Sequence, residues 1–82
     1  MTDTEHKAYY LTPRERSVIV ALAKTAGADA QVAATLDLSR GTVKVYLSRI
    51  REKLRVRGFN VESRYNFITW AKEHQAELES AE

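Results

Sequence analysis

The chain contains no cysteine, so neither a disulfide nor a thiolate metal site can staple it. That absence is compatible with a reducing cytoplasm. No apolar run approaches the roughly 20 residues of a membrane span. The opening Met-Thr-Asp-Thr-Glu-His-Lys lacks the charge and apolar order of a signal peptide. There is no strand-like alternation, internal repeat or low-complexity tract. A Gly-rich phosphate loop and a nucleophile elbow are also missing. His6 and His74 are far apart in sequence and read as solvated side chains. These absences exclude the common enzyme signatures, and no metal or cofactor is expected. What remains is one small all-α domain of 82 residues, near the lower size at which an apolar core suffices.

Charge is nearly balanced, 13 Lys and Arg against 11 Asp and Glu, for a net +2. Its distribution says more. Eight of the 13 cations (Arg40, Lys44, Arg49, Arg51, Lys53, Arg55, Arg57, Arg64) fall between residues 40 and 64, against only Glu52 and Glu62. Beyond Lys72 come Glu73, Glu77, Glu79 and Glu82 with no cation. A basic middle and an acidic end suit a module that grips a polyanion with one surface. A merely solvated helix face explains the charges equally well at this point.

The helix signals are local. Thr12, Pro13 and Glu15 supply a cap, a preset φ and a capping-box carboxylate, predicting a first helix from about Pro13 to Thr25. Val18, Ile19, Leu22 and Ala26 form its expected buried stripe, and Gly27 ends it. A short second helix is expected over about Asp29–Leu36, capped by Asp29 or Ala28, with Val32, Ala33 and Leu36 inward. Asp37-Leu38-Ser39 makes a turn with Leu38 as an apolar plug.

Helix three, about Arg40–Arg55, opens on Ser39, whose hydroxyl can accept from the backbone of Thr42 or its neighbour. Val43, Leu47, Ile50 and Leu54 recur at core spacing. Away from them lie Arg40, Lys44, Tyr46, Ser48, Arg49, Arg51 and Lys53, a face suited to the phosphates and base edges of duplex DNA. Gly41 falls inside the first turn, where propensity disfavours it. Close approach of a phosphate and simple tolerance both remain open there. After a loop with Gly58 and Asn60, helix four is expected over about Glu62–Glu77. Its stripe would be Val61, Tyr65, Ile68 and Ala71, with Phe67 and Trp70 to the side as surplus apolar surface for a partner. Two helices joined by about three residues, the second carrying the cations, form the sequence image of a helix-turn-helix.

Laid out so, the chain resembles the DNA-binding domain of LuxR/FixJ/NarL-type (GerE-type) transcription regulators over about Leu11 to Ala71. Leu11-Thr12-Pro13-Arg14-Glu15-Arg16 is similar to the family's opening, and Gln31-Val32-Ala33 with Leu36 and Leu38-Ser39 to its scaffold helix and turn. Gly41-Thr42-Val43-Lys44-Val45 and Leu47-Ser48-Arg49-Ile50 with Lys53-Leu54 resemble its recognition helix; Arg64, Ile68 and Ala71 resemble its fourth. Tyr46 stands where the family usually has His, Ala28 replaces a polar cap, Phe67 replaces a small residue, and the loop before Arg64 is several residues longer.

The resemblance implies a four-helix helix-turn-helix fold and a stand-alone, sequence-specific transcription regulator of a bacterium or its phage, working in the cytoplasm. Helix three would enter the major groove. Lys44 can donate to guanine O6 and N7, and Val45 suits a thymine methyl. Ser48 adds an unselective contact, and Arg40 reads a base or grips a phosphate. Ser39, Thr42, Tyr46, Arg49 and Lys53 complete the expected DNA-binding set, chiefly at phosphates. The resemblance also implies a homodimer through helix four, with Tyr65, Thr69 and Trp70 as candidates. Domain bounds follow: a flexible tail over 1–10, the DNA-binding domain over 11–77, and an acidic tail over 78–82. Two rivals stay open: a piece similar to region 4 of a sigma factor, touching RNA polymerase, and a protein-interaction module acting through the aromatic helix four.

Overall fold

The computed structural model describes residues 9–80. Within them lie five helices and no strand: α1 (Pro13–Lys24), α2 (Asp29–Leu36), α3 (Arg40–Val56), α4 (Arg64–Glu73) and α5 (Gln75–Glu79). Helix α1 begins on the expected box. Thr12 Oγ1 accepts from the Glu15 amide at 3.1 Å, and Glu15 Oε1 accepts from the Thr12 amide at 2.9 Å, with Pro13 in the first turn. Its end differs from expectation. The Ala26 amide donates to Ala23 O and the Gly27 amide to Leu22 O, a Schellman closure with Ala26 itself left-handed at φ 55°. That turn swings Ala26 out of the stripe, and it is exposed rather than buried.

Helix α2 starts at Ala28, which offers no side-chain cap. Asp29 is not the cap; its carboxylate accepts from Arg64 at 2.7 Å and ties the start of α2 to the start of α4. The end of α2 is again a Schellman closure, with Asp37 left-handed and the Leu38 amide bonded to Ala33 O at 2.9 Å. Ser39 then caps α3 by accepting from the Thr42 amide at 3.0 Å. The α2–turn–α3 unit therefore falls where the residues predicted, with α3 running to Val56.

The fourth helix departs most. Ser63 caps it by accepting from the Asn66 amide at 3.0 Å, so it opens at Arg64 rather than Glu62. It breaks at His74, whose ring Nδ1 lies 2.8 Å from the Trp70 carbonyl, and a separate α5 turns back onto α1. Leu78 is fully buried there and Glu79 pairs with Lys24 at 3.2 Å, so residues 78–80 belong to the fold and not to a tail. At the other end Tyr9 packs edge-on to Trp70 and Phe59 at 5.3 and 5.5 Å between ring centres, and its hydroxyl donates to Glu77 at 2.9 Å. Burial, then that hydrogen bond and the Glu77 charge, push the Tyr9 pKa up to about 12. The fold thus includes Tyr9 and Tyr10, which the sequence assigns to a tail.

Phe67 and Trp70 were expected beside the core stripe of helix four; both are in the core, with Ala71. Tyr65, expected inside, is 76% exposed, and Ile68 is half-buried. The reason is the long loop and the chain start: Phe59 and Tyr9 supply edges for Trp70, and His74 stacks on it at 4.1 Å. These rings cover Trp70 from within the molecule, so α4 turns Phe67 and Trp70 inward and Tyr65 outward. Helix α1 packs against all four others, and α2 also rests on α3. Val18, Ile19, Leu22, Val32, Val43, Ile50 and Leu54 meet in the centre.

Candidate nucleic-acid interface

Helix α3 has one buried edge, and that edge determines what the rest can do. Val43, Ile50 and Leu54 are fully buried and Leu47 nearly so. With 3.6 residues per turn, Gly41, Val45, Ser48 and Glu52 must then form the outermost ridge. All four are exposed, and Val45 stands 49% open, a large apolar side chain facing solvent. Arg40 and Lys44 flank the ridge on one side and Arg49 on the other. All three cations are exposed and make no ion pair or cation–π contact among the described residues. Thr42 is partly shielded, its hydroxyl accepting from Ser39 Oγ at 2.8 Å. Tyr46 is half-buried and packs on the core, its ring at the border of the exposed face.

The later half of α3 looks equally basic in sequence but is engaged within the molecule. Lys53, expected at a phosphate, donates to Glu15 Oε1 at 2.7 Å and to Tyr10 O at 3.1 Å. Its charge is paired within the fold, so Lys53 faces Glu15 and Tyr10 rather than standing free like Arg40, Lys44 and Arg49. Arg51 lies 4.8 Å over the Phe67 ring, Arg55 binds Glu52, and Arg57 lies 3.9 Å over Tyr10.

Glu15 is the buried partner in this arrangement, with 4% of its surface exposed. Burial would raise its pKa, but the Lys53 hydrogen bond, the Thr12 amide and the Lys53 charge outweigh that and hold it below its ordinary value of 4.5. One carboxylate therefore caps α1 and fixes the rear of α3. Sequence reasoning found its first role and missed the second, because a capping box already explains a Glu at that position. A buried acid facing a lone helical Lys across 38 residues has no local signature.

The pairing candidates on α4 divide. Tyr65 is exposed and Thr69 partly so, whereas Trp70 is 5% exposed and unavailable to a partner. Lys72 continues the Tyr65–Thr69 line at helical spacing and is exposed.

A short helix, a tight turn through a left-handed residue, and a longer helix whose basic outer face makes no ion pair among the described residues have the architecture of a helix-turn-helix DNA-binding domain. Residues 9–71 match the family model described as bacterial regulatory proteins, luxR family, and the chain belongs to that family of helix-turn-helix transcription regulators. No curated protein and no solved structure matches it. Among the described residues no helix is long and apolar enough to cross a membrane.

Proposed function

We propose that the protein is a sequence-specific regulator that inserts the first half of α3 into the major groove of duplex DNA. Lys44 and Val45 read base edges, with Ser48 adding a short contact one turn on. Arg40, Thr42, Tyr46 and Arg49 hold phosphates, and Ser39 orients the helix start beside them. The observation that carries this reading is the exposed Val45 between Lys44 and Arg49, which make no ion pair among the described residues. An apolar side chain at that crest suits a thymine methyl.

A single domain of this kind buries only roughly 600–1,000 Å² on DNA, so a homodimer on paired half-sites is the working form. The face offered by α4 is Tyr65, Thr69 and Lys72, which supports pairing there in a two-fold arrangement. The setting is the bacterial cytoplasm. With Phe67 and Trp70 in the core, Tyr65 is the one aromatic that α4 leaves exposed, a smaller surface than the sequence suggested for a protein-interaction module.

Selection of bound duplexes from a randomised DNA pool, followed by mobility shifts across a salt series, tests the reading. A palindromic consensus and a steep loss of affinity with salt are expected. A salt-independent complex, or no enrichment of any sequence, overturns it.

A further inference from the structure

The three glycines of this chain are not equivalent. Gly27 has φ +91°, and a Cβ there would collide with the Ile68 side chain. Gly58 also has φ +91°, a left-handed position that closes α3. Each of these is explained inside the molecule. Gly41 is not. It lies in the first turn of α3 without a positive φ, and it is exposed. A Cβ added there meets nothing nearer than Ser39 Oγ at 3.9 Å, an ordinary contact.

An alanine would therefore fit, and it would favour the helix, since glycine is a poor helix former. The fold bears a cost at Gly41 and gains nothing from it. Gly41 is also on the outermost ridge, one turn before Val45. We infer that Gly41 sets how deeply α3 enters the DNA groove: the missing side chain lets the helix backbone approach the duplex closely enough for Lys44 and Val45 to reach the bases. It is a positioning residue for recognition. The inference rests on the proposed DNA-binding reading and adds to it a distance constraint that no charge supplies.

Such a constraint gives stability and binding opposite signs. In the full chain, Gly41→Ala should raise the melting temperature and weaken binding to the selected duplex about tenfold, on the scale of one lost base contact. Gly41→Leu, also a good helix former, should weaken it further, because the loss tracks the bulk placed between helix and DNA. Affinity for a duplex of unrelated sequence should change much less, since phosphate contacts tolerate a shallower pose. A parallel Lys44→Ala variant separates the two levels of the claim. If Lys44→Ala loses affinity while both Gly41 variants bind as well as the parent, the Gly41 inference is overturned and the DNA reading stands. If the parent chain itself enriches no duplex, both fall. A lowered melting temperature in Gly41→Ala would likewise overturn the inference, by showing that the fold requires the glycine.

Discussion

The two halves of α3 carry similar numbers of cations and use them differently. From Arg40 to Arg49 the basic side chains point outward and touch no acid or aromatic ring among the described residues. From Arg51 to Arg57 every one of them is engaged: with Phe67, Glu15, Glu52 or Tyr10. Charge density along a helix therefore overstates the size of an interface. What distinguishes the halves is where the rest of the chain supplies partners. The segment around Tyr10 and Glu15 reaches the rear of α3 and leaves its front open.

Substitutions that exchange the behaviour of the halves probe this contrast most strongly. Glu15→Ala removes half of a capping box and leaves Lys53 without its acid, so it should cost about 2–4 kcal/mol of stability in urea unfolding. That is a large share of what a domain this size has to lose. Lys53→Met should destabilise by a similar order, because it strands the buried Glu15 carboxylate, yet leave the salt dependence of DNA binding unchanged. A reduced salt slope in Lys53→Met would show that the rear half also touches phosphate.

The same pair predicts a pH effect of definite sign. The folded-state pKa of Glu15 is held below its ordinary value, so its contribution is fully present above about pH 4.5 and is lost as pH falls through the lowered value. Melting temperature should drop on acidification in that range, and Glu15→Gln should flatten this part of the profile while lowering stability at neutral pH.

At the front, Lys44→Ala should cost roughly 1–3 kcal/mol of binding to the selected duplex and relax one base preference, with stability changed by less than about 0.5 kcal/mol. Arg49→Ala should weaken binding to all sequences alike and reduce the salt slope by about 1. Arg57→Ala should be the mildest: an exposed cation–π contact is worth roughly 0.5–1 kcal/mol, and DNA affinity should barely move.

Much of this was legible in the residues, and what was not has physical causes. The Thr12–Glu15 capping box, the Ser39 cap and the Val43–Leu54 stripe are local patterns, and α1, α2 and α3 fall where they predict. The outward set Arg40, Lys44, Val45, Ser48 and Arg49 follows from the same periodicity and is exposed. The failures are contacts between distant segments. Lys53 cannot be told from a phosphate ligand without knowing that Glu15 faces it. Trp70 reads as surplus surface until Tyr9 and Phe59 are seen to cover it. The break at His74 likewise comes with a non-local setting: its ring stacks on Trp70 and shares the Trp70 carbonyl with its own backbone amide, and α5 packs back on α1.

The central claim is the division of labour along one helix, and the salt dependence of DNA affinity measures it most directly. Replacing Arg40, Lys44 and Arg49 together by Ala should reduce the slope of log K against log salt by about 2–3, whereas replacing Arg51, Arg55 and Arg57 together should reduce it by less than about 1. Equal losses from the two triple variants, or a larger loss from the second, would contradict the account.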